Sequence, residues 1–363
     1  MSQSLLELLV HEDPIPTLLG DPIGWQRSYG RTDHRGNATL LYERISGANE
    51  IAALTIGDDQ AQQLARLVES AVDGWRNDPT LPQMRNIASK RPGLIPVRYR
   101  PGKRLTFRLG MPRELYCKAL ADDRGEAIVR DARQLWAASK RGELDFGVAR
   151  PAGWLPGQRI IAMHAIKARS IADVIFGAEG VDLAKRMGVA NASLAASSLR
   201  PAARYDYGWQ MARSHKYARR IAKRLPESAK YLPELTSNLE SITPGSADRP
   251  IHGAPHLHQW LINDSGLHLV DFDRFGWGDP ELDAATFYAE MEFEGDRRAR
   301  EIADAYLEGF AADWPVNPRL FQAYQLHKHL AKALRLLCSI RLDAAERCLE
   351  VLQAAAVQSR ELV

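Results

Sequence analysis

One stretch, residues 251–283, constrains the fold more than any other part of the 363-residue chain. Its sequence is IHGAPHLHQWLINDSGLHLVDFDRFGWGDPELD, in which two short apolar runs are joined by Asn263-Asp264-Ser265-Gly266. A turn of this composition between apolar runs is typical of a β-hairpin. Histidine and aspartate are concentrated at both ends of the predicted hairpin. We therefore expect a polar functional site there, supported by apolar strands.

The segment from about residue 94 to 140 has the pattern of a small antiparallel sheet followed by a helix. Alternating runs on either side of Pro101-Gly102-Lys103 predict a hairpin, and residues 114–120 predict a third strand. A helix is expected over about 125–140, and two more apolar runs flank Pro156-Gly157. Ser170, which precedes an apolar run, predicts the capped start of another helix.

The two ends of the chain differ in character. Residues 1–92 mix strand-like runs such as 39–42 with one predicted helix, for which Asp58 or Asp59 is the candidate cap. The apolar residues of that helix recur at helical spacing: Leu64, Leu67, Val68 and Ala71. From about residue 180 the pattern is mainly helical. Near the C-terminus one apolar stripe is formed by Leu326, Leu330, Leu334 and Leu337.

Composition excludes several classes of protein. Apolar residues make up 45% of the chain, enough for a normal core, so disorder is not expected as the main state. A net charge of +3 is too small to indicate nucleic-acid binding by itself. Three cysteines without a CxxC pair favour a reducing compartment over a disulfide or zinc framework. No signal peptide or transmembrane run is recognised, so we expect a cytoplasmic protein without membrane partners.

Four elements of residues 252–283 occur in the order and spacing of a known motif set. They are His252-Gly253-Ala254, Gln259, Asp271-Phe272-Asp273 and Gly278-Asp279-Pro280-Glu281-Leu282-Asp283. This pattern resembles the HGDxxxxN loop, the Asp-aromatic-acid triplet and the GDPxxD-like segment of the aminoglycoside phosphotransferase and choline kinase family. With the upstream order of strand, lysine and helix, the resemblance covers about residues 94–330.

The resemblance implies an α+β, two-lobed protein-kinase-like fold with a small antiparallel-sheet N-lobe and a larger helical C-lobe. It implies an N-terminal extension (1–92) packed on the N-lobe, an N-lobe (93–165), a connector near 161–171 and a C-lobe (166–363). The implied cofactors are ATP, or another nucleoside triphosphate, and Mg²⁺. Asp271, Asp273 and Gln259 would be the metal ligands, because Mg²⁺ prefers carboxylate and amide oxygens.

The chain departs from the family at Ala254, where relatives have an aspartate that accepts or orients the proton of the acceptor hydroxyl. His252 and His256 belong to the same loop. Three explanations are open: a natural pseudokinase, a kinase whose base is His256 or His258, or an aspartate-to-alanine form made to trap a complex. His256 also fits a structural role in the loop, and the pair His256 and His258 lacks a third ligand for zinc. Asp279 and Asp283 are expected to cap the next helix and brace the loop.

The resemblance also assigns the nucleotide side. Lys118 in the third strand would contact the α- and β-phosphates, held by Glu126 as first choice or by Asp131 as second. Lys103 in the first hairpin would lie over the phosphates, or would belong to a solvated basic turn. The backbone around Met163 would bond to adenine.

Acceptor and partners are less constrained. The basic C-terminal helix disfavours a polycationic acceptor, so a neutral or anionic small molecule, or a peptide hydroxyl, fits better. A pocket for a cation stays open as an alternative, formed by Trp277, Tyr288, Glu290, Glu292 and Glu294. A second basic run forms either a solvated helix face or a surface for an anionic partner: Arg213, His215, Lys216, Arg219, Arg220, Lys223 and Arg224. Nucleic acid is not expected, because aromatic residues are scarce in that run. The two functions considered are a hydroxyl phosphotransferase and a pseudokinase serving as a nucleotide-binding or scaffold subunit of a biosynthetic complex.

Overall fold

The computed structural model describes residues 3–33, 37–45, 50–57, 74–91, 93–110 and 114–360. The chain forms two compact units. The first unit comprises Met1–Glu126, Ala152–Ala165 and Arg335–Cys348, and the second comprises Ala127–Pro151, Ile166–Leu334 and Leu349–Val363. The predicted helix with Leu64, Leu67, Val68 and Ala71, and its candidate caps Asp58 and Asp59, lie outside the described residues.

The first unit begins with two helices and a three-stranded sheet. The helices are α1 (Gln3–His11) and α2 (Ile15–Leu18), and the strands are β1 (Trp25–Thr32), β2 (Ala38–Arg44) and β3 (Ile51–Ile56). The strands pair antiparallel in the order β1-β2-β3. Their core contains Leu9, Trp25, Tyr42 and, from far along the chain, Ile340. Burial of these apolar side chains is what stabilises so small a sheet.

A five-stranded sheet forms the rest of the first unit. Its strands are β4 (Leu94–Arg100), β5 (Arg104–Leu109), β6 (Leu115–Leu120), β7 (Pro151–Leu155) and β8 (Ile160–His164), in the order β4-β5-β6-β8-β7. One face packs on Trp75 and Met84, the latter from α3 (Gln83–Lys90), and buries Phe107 and Cys117. The predicted hairpin around Pro101-Gly102-Lys103 and the third strand are both present.

The second unit is mainly helical. Its helices are α4 (Gly125–Lys140, which begins in the first unit), α5 (Gly180–Ala196), α6 (Tyr207–Arg224), α7 (Leu232–Glu240), α8 (Glu281–Met291), α9 (Ala299–Asp313), α10 (Pro318–Leu337) and α11 (Ala344–Ser359, which ends in the second unit). Helix α4 confirms the expectation for 125–140. Of the predicted stripe, Leu326, Leu330 and Leu334 of α10 are buried, and Leu337 is half-buried. The α+β class is therefore confirmed, with antiparallel sheets in the N-terminal region and helices in the C-terminal part.

Two small sheets of the second unit support the polar stretch. The strands β9 (Arg169–Ser170), β12 (Trp260–Asn263) and β13 (Gly266–Leu269) form one sheet in the order β13-β12-β9. The strands β10 (Ala203–Arg204), β11 (Arg249–Ile251) and β14 (Gly276–Gly278) form the other, in the order β10-β14-β11. Asn263 pairs with Gly266, so the hairpin expected between residues 251 and 283 is confirmed.

Two local expectations are wrong. Ser170 does not cap a helix, because it ends strand β9 and is followed only by a 3₁₀ turn over Ile171–Asp173 without a side-chain cap. The β9 backbone instead bonds to β12, which satisfies the groups that a helix would have used. Part of the expected connector is strand as well, since Ala162 and Met163 pair with β6. In the described part of the chain, no helix has both the length and the apolar character needed to cross a bilayer.

Candidate functional site

A buried carboxylate fixes the loop that follows β11. Asp283 of α8 accepts hydrogen bonds from the backbone N–H groups of His252 (2.6 Å) and Gly253 (2.8 Å). Burial raises the pKa of Asp283 to about 7, although these two N–H donors act in the opposite direction. The expectation that Asp283 braces the loop is confirmed.

The expectation that Asp279 and Asp283 cap the following helix is wrong. Helix α8 begins after Pro280 without a side-chain cap. The side chain of Asp279 instead accepts hydrogen bonds from the Ala247 N–H (2.9 Å) and the Tyr324 hydroxyl (2.6 Å). Burial raises the pKa of Asp279. Both carboxylates are thus committed to holding neighbouring backbone in place.

The loop turns sharply at Gly253 and Ala254. Gly253 has a φ of +80°, and a Cβ on it would lie 2.6 Å from the Arg274 carbonyl oxygen. Ala254 is buried, with 7% of its surface exposed, and its carbonyl accepts a hydrogen bond from the His256 N–H. Ala254 therefore contributes only a methyl group to this turn of the loop.

His252 is fully buried beneath this loop. Its Nε2 lies 3.1 Å from the Val270 carbonyl oxygen, so this nitrogen carries the proton and donates. The imidazole also lies 4.5 Å from the ring of Phe272, measured between ring centroids. Burial lowers the pKa of His252 to about 4. This neutral ring links the loop to the residue immediately before Asp271.

Asp271 lies where β13 has ended, with a φ of +68°. Aspartate is among the non-glycine residues that tolerate this left-handed region. The Gln259 amide nitrogen lies 3.5 Å from an Asp271 carboxylate oxygen, while the Gln259 oxygen accepts a hydrogen bond from the His256 N–H at 2.8 Å. The structure therefore brings Gln259, Asp271 and the loop together, with Asp273 two residues further on.

Oxygen atoms dominate this set, and such donors fit a hard divalent cation. Across the described residues, no group of three or more histidine, cysteine, aspartate or glutamate side chains could hold a metal ion. A metal at this position would thus depend on the two carboxylates and on further oxygens from a ligand or water. Gln259 would join them only by turning its amide oxygen from the His256 N–H toward Asp271.

His256 lies at the edge of the loop beside helix α8. Its Nδ1 is 3.7 Å from a Glu290 carboxylate oxygen, and that oxygen accepts a hydrogen bond from the Leu257 N–H at 2.7 Å. Burial alone would raise the pKa of Glu290, but its interactions with His256 and the loop make the net shift downward. His258 is exposed. The sequence did not indicate Glu290 as a partner of this loop, because its position depends on the packing of α8.

The residues assigned to nucleotide belong to other elements. Lys118 is half-buried in β6, between the buried Cys117 and Ala119, and Met163 lies in the adjacent strand β8. Glu126 is exposed in the first turn of α4. Lys103 is exposed in the turn between β4 and β5.

Asp131, the second choice as partner for Lys118, is buried in the second unit. Its carboxylate accepts a hydrogen bond from the Gln134 side chain at 2.9 Å. Burial raises the pKa of Asp131.

One residue that the sequence did not indicate holds the turn before Lys103. The Asp78 carboxylate accepts hydrogen bonds from the Gly102 N–H (2.9 Å) and the Tyr99 hydroxyl (2.8 Å), and from Thr80. Asp78 is buried, at 6% exposure. No local pattern connects it with a turn so far along the chain.

The fold of this chain is similar to those of several solved kinase structures. A choline/ethanolamine kinase family protein from Mesorhizobium loti aligns at 14% identity and a TM-score of 0.52, over 77% of this chain and 99% of that one. The aminoglycoside-3'-phosphotransferase of type VIII aligns at 20% identity and a TM-score of 0.51, over 69% and 99%. Choline kinase LicA from Streptococcus pneumoniae aligns at 11% identity and a TM-score of 0.52, over 74% and 98%. At these identities the similarity concerns the fold alone.

No curated protein matches the chain by sequence. The description of the phosphotransferase enzyme family (APH) does match, over residues 117–317, which is more than half of the chain. This range includes β6 from Cys117 onward, the loop after β11 and the Asp271 region, so the resemblance inferred from the sequence is confirmed. The chain therefore belongs to the phosphotransferase enzyme family.

Proposed function

We propose that this protein is an ATP- and Mg²⁺-dependent phosphotransferase that phosphorylates a hydroxyl group of a small molecule or peptide. The family and its fold suggest phosphoryl transfer to small molecules. The observation that carries the proposal is the arrangement of Asp271 and Gln259, whose side chains face each other beside the braced loop 252–256.

Two structural relatives support the choice of cofactor. Amicoumacin kinase hAmiN, with a TM-score of 0.55, was solved with AMP-PNP and Ca²⁺. APH(2")-IIia, with a TM-score of 0.53, was solved as a complex with GDP and kanamycin. The first favours ATP with a divalent cation, and the second is the reason to keep another nucleoside triphosphate as an alternative.

Each predicted residue then has a separate task. Asp271, Asp273 and Gln259 would hold Mg²⁺, whose positive charge would offset charge on the phosphates. Lys118, supported by Glu126, would contact the α- and β-phosphates, and Lys103 would lie over them. Backbone groups around Met163 would bond to the base.

The loop would supply positioning without a carboxylate base. His252 holds the backbone before Asp271, and the His256 N–H donates a hydrogen bond to the Ala254 carbonyl. Phosphoryl transfer depends mainly on positioning and electrostatic stabilisation, so a site without a base is expected to be slow rather than inactive.

The substitution Ala254→Asp tests this function. A positioned general base typically contributes about 10²–10⁴-fold in rate. We expect ATP turnover, measured by release of ADP with Mg²⁺ and candidate hydroxyl acceptors or water, to rise within that range. Ala202→Asp is the matched control, because Ala202 is an exposed alanine elsewhere in the second unit. Turnover in Ala254→Asp that survives the added substitution Asp271→Asn would contradict the proposal.

A pseudokinase is the second candidate, and the buried methyl group of Ala254 is the observation that favours it. In this case the chain is a nucleotide-binding or scaffold subunit of a biosynthetic complex. The melting temperature with ATP and Mg²⁺ distinguishes a nucleotide-binding subunit from a scaffold that binds no nucleotide. A ligand at about 100 times its Kd stabilises the fold by about 2.7 kcal/mol. Stabilisation without turnover in Ala254→Asp favours a nucleotide-binding subunit, and no stabilisation favours a scaffold.

A further inference from the structure

Helix α6 carries a large excess of positive charge. Its sequence from Tyr207 to Arg224 contains no acidic residue. Six lysine and arginine side chains belong to it: Arg213, Lys216, Arg219, Arg220, Lys223 and Arg224. The net charge of the whole chain is only +3, so the residues outside α6 are net acidic. The excess of positive charge is therefore concentrated on this one helix.

The six cations lie on the side of α6 that faces away from the core. At 3.6 residues per turn they fall within an arc of about 140°. The opposite side of the helix is buried and consists of Tyr207, Gln210, Ser214, Ala218 and Ile221. Three of the cations are exposed and three are half-buried. We call the six side chains together the basic stripe.

Most of the basic stripe lacks an acidic neighbour. Among the described residues, four of its cations form no ion pair with a carboxylate: Lys216, Arg219, Arg220 and Lys223. Like charges four residues apart on a helix repel, as Lys216 does with Arg220. A solvated helix face usually has acidic and basic residues interspersed, which relieves such repulsion. Here the relieving acids would have to come from another molecule.

The N-terminal end of the stripe is held rigidly. The guanidinium carbon of Arg213 lies over the Trp209 ring, 4.5 Å from its centre, and 5.5 Å from the centre of the Tyr217 ring. The Arg213 Nε donates a hydrogen bond to the Tyr217 hydroxyl at 3.0 Å. The ring of Tyr205 in turn meets that of Trp209 edge-on, with centroids 4.9 Å apart. Because Arg213 is ordered in advance, it loses little side-chain freedom when a partner binds.

The size of the stripe favours a short partner segment. From Arg213 to Arg224 the helix rises about 16 Å, the length of about five residues of extended chain. A long polyanion such as nucleic acid, or an anionic membrane, would also meet the net acidic remainder of the chain, which repels it.

The side chains around the stripe also disfavour these larger partners. Arg213 covers one face of the Trp209 ring, which leaves little aromatic surface for stacking of bases. Apart from Trp209, which is 37% exposed, α6 exposes no large apolar side chain of the kind that a helix lying in a membrane surface needs.

We propose that the basic stripe of α6 is a docking surface for an acidic segment of a partner protein. The segment is extended, about five residues long and rich in aspartate and glutamate. This inference goes beyond phosphoryl transfer and does not depend on it. It decides between the solvated face and the partner surface that the sequence left open.

A fluorescein-labelled oligoglutamate peptide of about eight residues, somewhat longer than the stripe, tests the surface. Fluorescence anisotropy with the full chain gives its Kd at low ionic strength and again with added NaCl. We expect saturable binding that weakens with salt. Lys216→Glu combined with Arg219→Glu is expected to weaken it about tenfold, because two exposed attractions become repulsions. Absence of binding would overturn the proposal.

Arg133→Glu combined with Arg186→Glu is the matched control, because it reverses two exposed arginines on other helices of the second unit. An equal loss of affinity in this control would show that overall charge attracts the peptide, and would overturn the proposal. Should the α6 reversals fail to fold, Lys216→Gln combined with Arg219→Gln replaces them. Unchanged affinity in that variant would contradict the docking surface.

Two further measurements examine the rigid end and the class of partner. Trp209→Ala releases Arg213 and is expected to weaken the peptide several-fold, whereas Trp314→Ala, which removes another ring under an arginine, is expected to leave its affinity unchanged. Equal affinities of these two variants would refute the role of Arg213. Binding of a single-stranded oligonucleotide that depends on Lys216 and Arg219 and is tighter than that of the peptide would overturn the assignment to a protein segment.

Discussion

At the scale of single residues, the loop after β11 depends on a backbone conformation that only glycine adopts without strain. Gly253 combines a positive φ with a close approach to the Arg274 carbonyl, and both of its neighbours are buried. The two N–H bonds to Asp283 require this turn, because they place consecutive amides on one carboxylate. The geometry of the candidate site is thus set by residues with no chemical role of their own.

Gly253→Ala tests this dependence. The left-handed conformation costs a non-glycine residue about 1–2 kcal/mol, and the contact with the Arg274 carbonyl adds to this cost. We expect the free energy of unfolding in urea to fall by at least that amount. Gly157→Ala is the control, because a Cβ there meets no atom within 4 Å. Equal stability of the two variants would contradict the strained turn.

His252 gives a prediction for pH. Its pKa is about 4 in the folded chain, against 6.5 for an ordinary histidine, so below pH 6.5 the unfolded chain binds a proton that the folded chain does not. The folded state therefore loses stability as the pH falls from 6.5 to 4. The loss is on the order of 3 kcal/mol, at 1.36 kcal/mol for each pKa unit.

Unfolding measured at several pH values in the wild type and in His252→Gln isolates this contribution. Asp283, with its pKa raised to about 7, acts in the opposite sense, since its contribution weakens as the pH rises toward 7. The quantity to follow is therefore the difference in free energy of unfolding between the wild type and His252→Gln at each pH. A difference that does not change between pH 6.5 and 4 would mean that His252 is protonated in the folded chain.

At the scale of elements, the turn between β4 and β5 is held by a residue from the leading segment. Asp78 accepts hydrogen bonds from Tyr99 and Gly102, and Phe107 and Trp75 lie in the core beneath them. This bracing fixes the turn that carries Lys103. If that turn lies over the nucleotide phosphates, residues outside the matched family range contribute to their position.

Asp78→Ala is expected to destabilise the chain, because each buried donor that loses its acceptor costs about 1–3 kcal/mol. Asp78→Asn keeps one acceptor oxygen and should be intermediate. Asp122→Ala is the control, since Asp122 is exposed and its carboxylate contacts the side chain and the backbone N–H of Arg124. An exposed ion pair of this kind is worth about 0–1 kcal/mol. Urea unfolding of the three variants gives their free energies of unfolding. If Asp78→Ala is as stable as Asp122→Ala, the bracing role is refuted.

The sequence predicted those elements whose signals are local. The hairpin at Asn263–Gly266 and the helix over 125–140 follow from turn residues and periodicity. The prediction for Ser170 was wrong because serine before an apolar run occurs both at the start of a helix and at the end of a strand. Only the pairing of β9 with β12 distinguishes these two structures. The prediction that Asp279 caps a helix was wrong because its side chain bonds to Tyr324 on α10, and no local sequence pattern connects these two residues.

The candidate site was predictable in part for the same reason. Asp271, Gln259 and the loop are close in sequence, so motif spacing indicated them together. Glu290 and Asp78 depend on long-range packing, which a single sequence does not specify. The predicted roles of Lys118, Glu126, Lys103 and Met163 stay predictions.

At the scale of the whole molecule, a segment near the C-terminus completes the first unit. The Thr32 N–H donates to the Cys338 carbonyl at 2.8 Å, Arg31 bridges to Ser339, and Ile340 enters the core of the leading sheet. No composition or motif marked residues 335–348 as partners of the first strands. Such pairing across the length of the chain is stabilised only by the finished core.

Ile340→Ala is therefore expected to loosen strands β1–β3 more than the second unit. Truncation of a buried isoleucine to alanine costs about 2–5 kcal/mol. Hydrogen–deuterium exchange should become faster in residues 25–32 and 38–44, with little change in 249–291. Val357→Ala, at a 59% exposed position of α11, is the control, and equal exchange in both variants would contradict the shared core.

The contribution of Ile340 has a consequence for biosynthesis. While the ribosome is still translating the helices of the second unit, the leading sheet has already emerged but lacks the side chain that closes its core. Its apolar face then remains open to water for most of translation, and a chaperone would find its binding surface there. Slow codons before residue 335 would prolong this exposure, whereas similar codons after residue 348 would not.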